Sequence, residues 1–233
     1  ITGGTTLSRE QVKGKTETEL VDDIVEKTKN YDQVLMLMST TNIDRVTTMQ
    51  RVANKTGKTV IHDIVLSNVL QLVTQKIPNA LNSKNVGVYL PGSVYIKRDK
   101  EEYKKYIEPF KERINETGKL LHGKFIMNIR VSMLKDIERL KDKVLNNCCV
   151  VYSMWEGYQK EEIYKKFLNK MKELNIDIYS LHVSGHADYT AFNQVIEITK
   201  PNVVIPMHTE NKEKIKDFTD KAVILEDMEA FNF

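Results

Sequence analysis

At 233 residues, 29% of them charged and 41% hydrophobic, the chain can bury a sizeable core in one or two domains, and its composition excludes a disordered or fibrous class. A formal net charge of +3 permits a nucleic-acid partner without arguing for one, because the excess is small and unclustered. No apolar run approaches the roughly 18 residues of a membrane span and no signal peptide stands out, so a cytoplasmic protein with no membrane partner is expected.

In chain order, Ile1-Thr2-Gly3-Gly4-Thr5-Thr6-Leu7-Ser8-Arg9 reads as a strand end running into a turn. Thr16-Glu17-Thr18-Glu19 spells a capping box and opens a helix through Leu20, Ile24 and Lys27. Val34 to Met38 is an apolar strand ending in Ser39-Thr40-Thr41-Asn42, after which Asp44-Arg45 starts a helix through Val46, Met49 and Val52 that stops at Gly57. Hydroxyls and free backbone N–H groups at a helix start, with an arginine on the first turn, suit an anion, although Ser, Thr and Asn also cap helices with no ligand at all.

The same rhythm continues through a short strand Lys58 to His62, a strongly apolar helix from Ile64 to Val73, and a strand Val86 to Leu90 closed by Pro91-Gly92. His62 lies at a strand end with no second ligand beside it, which suits a structural role. Asp99 to Arg113 reads as a charged helix with Tyr103, Tyr106, Ile107 and Phe110 on one stripe. His122 falls in a turn before the strand Phe125 to Ile129, and Ser132 is placed to cap a helix through Leu134, Ile137 and Leu140. Cys148 and Cys149 are adjacent in the strand Cys148 to Tyr152; neighbouring cysteines make no ordinary disulfide and have no metal-ligand spacing, so buried packing in a reducing compartment is expected. That strand ends in Ser153-Met154-Trp155-Glu156-Gly157-Tyr158, where Ser153 offers a second phosphate contact and Trp155 or Tyr158 either stacks on a base or covers the core. A helix through Ile163, Phe167 and Met171 follows.

The most site-like stretch comes last. Asp177 to Val183 reads as a strand broken by Ser184-Gly185 before His186, and Asp188 caps a helix through Phe192, Val195, Ile196 and Thr199. Pro201 ends that helix, and the apolar run Val203 to Met207 delivers His208-Thr209-Glu210. In an open α/β sheet ligands bind outside the carboxyl ends of strands, so His186 and His208 are expected to face one crevice. A helix at Lys212 to Phe218 and a strand at Ala222 to Leu225 finish the chain. Alternating strands and helices predict an α/β fold, a mainly parallel sheet flanked by helices.

Ser184-Gly185-His186-Ala187, a helix, Lys200-Pro201, an apolar strand and His208-Thr209-Glu210 together resemble the C-terminal signature of the β-CASP branch of the metallo-β-lactamase fold, a family that includes ribonuclease J. Ser39 to Asn42 with Arg45 resembles that branch's Ser-Asn-x-x-Arg phosphate element. The resemblance implies a metallo-β-lactamase-fold segment at 1–14, a β-CASP domain at 15–175 and a C-terminal metallo-β-lactamase-fold segment at 176–233. It implies a zinc-dependent hydrolase that cleaves RNA or another phosphodiester by metal-activated hydroxide. Carried over by position, His208 is a zinc ligand, His186 stabilises the scissile phosphate, and Ser39, Asn42, Arg45, Ser153 and Ser184 bind substrate phosphates.

Three departures accompany it: Thr209 stands where the family has glycine, Gly3 where it has an acid, and the His-x-His-x-Asp-His motif is absent. One imidazole does not hold zinc, so the ligand set is incomplete and an N-terminal half of the same protein is an expected partner. The 233 residues alone are expected to be inactive yet to keep weak, salt-sensitive affinity for single-stranded nucleic acid. Two alternatives stay open, a non-catalytic nucleic-acid or phosphate-binding module and another α/β phosphate binder whose histidines are structural; a homo-oligomer is open too.

Overall fold

The computed structural model describes residues 2–3, 7, 14–73 and 77–232. Its elements in chain order are β1 (Thr2–Gly3), α1 (Glu17–Thr28), β2 (Gln33–Leu37), α2 (Ile43–Thr56), β3 (Thr59–Asp63), α3 (Ile64–Gln71), β4 (Val86–Tyr89), α4 (Gly92–Tyr95) and α5 (Glu101–Ile107). They continue with α6 (Lys111–Leu120), β5 (Phe125–Ile129), α7 (Leu134–Lys141), β6 (Cys148–Tyr152), α8 (Glu162–Glu173), β7 (Asp177–Ser180), α9 (Tyr189–Thr199) and β8 (Pro206–Met207). Two compact units divide them, Thr16–His182 and the pair of segments Ile1–Lys15 with Val183–Phe233.

The larger unit is α/β, with a six-stranded, all-parallel sheet in the order β4-β3-β5-β2-β6-β7. Every residue of β2, β5 and β6 is buried. Such strands are covered on both faces, which is why they read as continuous apolar runs and not as alternation. On one face Leu35, Leu37, Phe125, Met127, Tyr152 and Phe167 belong to a single core cluster. The chain leaves β2 for β3 and β4 on one side, returns through β5, and crosses to β6 and β7 on the other. The direction of travel therefore reverses around β2, and in open α/β sheets such a reversal puts the ligand crevice at the carboxyl ends of the strands.

Local signals set the helix ends. The Thr16 side chain accepts from the Glu19 backbone while the Glu19 carboxylate takes the Thr16 N–H, completing the capping box. Asn42 caps α2, which closes on Gly57 in the left-handed region at φ 64°. The single helix expected over Asp99 to Arg113 is broken instead. Pro109 lacks an N–H and sits in a 3-10 turn at Glu108–Phe110 between α5 and α6. Ser132 does not cap α7, because Val131–Met133 is itself a 3-10 turn and α7 has no side-chain cap.

His62 lies in β3 with 1% exposure, and its Nδ1 finds no hydrogen-bond partner among the described residues. Burial pushes its pKa down from the ordinary value to about 3. The unfolded chain takes up this proton near pH 6.5 and the folded chain does not, so the unfolded state binds more protons between about 6.5 and 3. Stability is expected to fall by a few kcal/mol as pH drops through that window, and His62→Leu to flatten the slope. Urea unfolding at several pH values checks this; equal slopes for the two proteins would reject it.

In the smaller unit β1 pairs in parallel with β8, Thr2 level with Pro206 and Gly3 with Met207. Leu7, Phe192, Val204 and Ile215 form its core, with Ile196, Phe218 and Ala222 packed against them. The run expected as a strand from Val203 contributes only Pro206–Met207 to a ladder. Val204 makes a single parallel bridge to Ala222, all that appears of the strand expected at Ala222 to Leu225, and Lys212–Asp217 is 3-10 rather than α-helical.

Candidate functional site

The carboxyl ends of β2, β6 and β7 lie level in the larger unit, Leu37 opposite Tyr152 and Tyr152 opposite Ser180. At the end of β2, Ser39 Oγ lies 3.0 Å from Thr41 Oγ1, and the Asn42 side-chain oxygen accepts the Arg45 N–H at 3.0 Å. Ser39 and Asn42 are half-buried and Thr41 is exposed, so hydroxyls stand within a ligand's reach at the start of α2.

Arg45 does not reach that surface. Its side chain is 1% exposed and turns inward, where Nη2 donates to Glu17 Oε1 at 3.0 Å and Nε lies 3.3 Å from both Glu17 oxygens. Nη1 donates to the Ser153 carbonyl at 3.0 Å and to Ser153 Oγ. Thr48 Oγ1 donates to the second Glu17 oxygen at 2.6 Å, and Ser153 Oγ to the Leu181 carbonyl at 2.7 Å. Of these two residues expected to touch a phosphate, Ser153 is 3% exposed with its hydroxyl between Arg45 and the Leu181 carbonyl, and Arg45 is turned toward Glu17 and Ser153. A buried guanidinium needs a carboxylate, and the first turn of α1 supplies it.

Glu17 and His182 joined this network with no expected role. Glu17 is legible only as a first-turn helix acid, and nothing local links it to a residue 28 positions on. His182 follows β7, with Nδ1 3.4 Å from Arg45 Nη1. Although the residue is exposed, desolvation on the side packed against the network, and then the adjacent Arg45 charge, hold its imidazole below the usual pKa. A strand-end position was the only signal pointing to it.

The other expected residues belong to the smaller unit. The exposed Ser184 accepts the His186 N–H through Oγ at 3.2 Å, fixing a tight turn. Asp188 accepts the Ala191 N–H at 2.9 Å as the cap of α9 and the Gly14 N–H at 2.8 Å. His208 follows β8 in the left-handed region at φ 53°. It lines a pocket of about 570 Å³ with Met207, Thr209, Lys212, Glu226 and Phe231. The strands before the two histidines were expected to lie side by side in one sheet and do not: β7 is the edge of the six-stranded sheet, whereas β8 pairs with β1. Strand pairing is a long-range choice, and equal apolar runs carry no mark of it.

Among the described residues no group of three or more His, Cys, Asp or Glu side chains could hold a metal ion. Zinc in a structural or catalytic site takes at least three protein ligands, so these residues do not by themselves fit it. Among the same residues no helix is long and apolar enough to cross a membrane.

Residues 171–224 match the family model described as RMMBL, the Zn-dependent metallo-hydrolase RNA specificity domain. The matched stretch runs from Met171 in α8 through Ser184, His186, α9, β8 and His208 to Ile224, and it relates this part of the chain to the metallo-hydrolases and to RNA specificity. No curated protein matches the sequence. The chain is similar to a solved structure, a protein of unknown function from Enterococcus faecalis V583, at 17% identity and a TM-score of 0.61 over 97% of this chain and 49% of that one. That likeness concerns the fold alone, and the chain spans about half the length of the protein it matches.

Proposed function

We propose, on the premise that residues 171–224 match the RNA specificity domain of Zn-dependent metallo-hydrolases, that this chain is the substrate-holding portion of a β-CASP-branch hydrolase that cleaves RNA phosphodiester bonds. The match carries the reading because it takes in Ser184, His186 and His208 together. On this reading the unit Thr16–His182 is the β-CASP domain, and the other unit is the closing segment of a metallo-β-lactamase fold. A metal held by the parent enzyme would supply the activated hydroxide. His208 is one zinc ligand, and the remaining ligands come from polypeptide outside these residues, since the described ones make no metal centre.

The chain's own part is to hold the substrate. His186, set by the Ser184 turn, offers a hydrogen bond to charge on the scissile phosphate. Ser39 and Asn42, at the carboxyl end of β2 where the strand order of the larger sheet reverses, contact a substrate phosphate. Arg45 and Ser153 act at one remove, by tying the loop after β6 and the helix after β2 together. The 233-residue chain is expected to bind single-stranded RNA weakly, with affinity falling as salt rises, and to cleave none of it with zinc or manganese added. Gel analysis of labelled RNA, with and without the N-terminal half in trans, measures this; robust cleavage by the chain alone would refute it.

Gly3 favours a second reading, a non-catalytic RNA-binding homologue. It is level with Met207 beside His208, it is exposed, and a Cβ atom there would meet nothing within 4 Å among the described residues. Glycine stands where the family has its acid. Whether the gene encodes the His-x-His-x-Asp-His motif ahead of Ile1 decides between the two readings.

A further inference from the structure

The loop after β6 carries aromatic rings for which the hydrolysis proposed above has no use. Tyr152 is buried and meets Tyr164 edge-on, with centroids 6.3 Å apart. Tyr164 stacks on Tyr158 at 5.6 Å, and Trp155 stands edge-on to Tyr158 at 5.4 Å. The rings thus run from the core outward, and Trp155 at the outer end is 57% exposed.

Trp155 is held in place. A methyl group on Gly157 would come within 2.2 Å of its ring, so only glycine lets the indole lie against this backbone. The Trp155 carbonyl accepts from the Tyr152 hydroxyl at 3.1 Å. One side of the ring rests on Gly157 and an edge-on tyrosine braces it, while more than half of the residue remains open to water. A rigid, exposed ring of this size is an apolar surface prepared for a flat partner.

Its place in the sheet says which partner. The Ser153 N–H donates to the Leu37 carbonyl at 2.9 Å, so the loop carrying Trp155 and the Ser39–Asn42 loop leave adjacent strands at the same level, one strand spacing or about 4.8 Å apart. In the sequence just after Trp155, Lys160, Lys165 and Lys166 are matched by Glu156, Glu161 and Glu162, so this segment carries no net charge and the ring face must supply the contact. We infer that Trp155 is a stacking platform for one base of a single-stranded RNA whose phosphates pass the Ser39–Asn42 loop, an inference that rests on the RNA reading above. Every base has a π-face, so this contact adds affinity and tolerates sequence.

Trp155 is the chain's only tryptophan, and its emission reports this ring alone. An adenylate decamer titrated into the full chain at low salt is expected to quench that emission, whereas inorganic polyphosphate is not. In anisotropy measurements with labelled decamer, Trp155→Ala is expected to weaken binding about tenfold and Trp155→Phe less. Gly157→Ala, which pushes the ring from its seat, should weaken it as well. RNA binding with unchanged emission and full affinity in Trp155→Ala overturns the platform and leaves the RNA reading standing, as does equal quenching by polyphosphate. A wild-type chain that binds no RNA at any salt concentration overturns both.

Discussion

Replacing Arg45 by alanine is expected to destabilise the larger unit by about 3–5 kcal/mol, the loss typical when one partner of a buried ion pair is removed. The side chain is 1% exposed, and its guanidinium joins α1 through Glu17, α2 through its own backbone and the loop after β6 through Ser153. Alanine leaves the Glu17 carboxylate with only Thr48 as a hydrogen-bond donor from this network, and it leaves the Ser153 hydroxyl without its cation. Lysine is no remedy. Its ammonium is a point charge and cannot reach Glu17 and Ser153 together in the planar fork that arginine presents. Urea unfolding of wild type, Arg45→Ala and Arg45→Lys measures the effect, with Arg45→Lys expected between the others. A loss under about 1 kcal/mol in Arg45→Ala would mean the network is ornamental. Because Arg45 lies beneath the Ser39–Asn42 loop, RNA affinity should fall with it even under conditions where the variant stays folded.

The second large effect is expected at Asp63, on the far side of the same sheet's carboxyl edge. Asp63 is fully buried. Its Oδ1 accepts the Leu66 N–H at 2.8 Å, capping α3, and the Asn128 side-chain amide at 3.1 Å. Its Oδ2 accepts from Arg130 Nε at 2.5 Å. Alanine removes a helix cap worth about 1 kcal/mol and strands a guanidinium and an amide whose desolvation went uncompensated, so about 3–5 kcal/mol is expected in all. Asparagine keeps an oxygen for the cap and gives up the charge, and should cost clearly less. Unfolding curves for Asp63→Ala and Asp63→Asn test this ordering. Equal losses would show that the ion pair rather than the cap matters, and no loss from alanine would reject the account.

Both sites involve side chains whose importance depends on partners far along the chain, and here sequence and structure separate. The start of α1 is written in four consecutive residues, Thr16 to Glu19, and the ends of α2 in Asn42 and Gly57, because a cap satisfies backbone groups within three or four positions. The strands β2 and β6 were legible as apolar runs, and β5 as one interrupted only by Asn128, since a strand covered on both faces has no polar side to alternate. The Ser184-Gly185-His186 and Lys200 to Glu210 stretches could be matched for the same reason: their residues are close in sequence. The parallel α/β class and the likeness to a metallo-hydrolase were therefore available from the chain alone.

What a residue's side chain faces was not. Arg45 reads as a first-turn cation ready for an anion, yet Glu17 draws it inside; Ser153 reads as a strand-end hydroxyl, yet it is closed off by Arg45 and Leu181. His186 and His208 follow similar apolar runs, and only strand pairing assigns β7 to the six-stranded sheet and β8 to β1. Period, cap and turn are local properties of the backbone, decided within a few residues. Sheet order, the burial of a charge and the choice of its counter-ion are set when distant segments compete for the same water-free space, and that competition is settled only in the folded molecule.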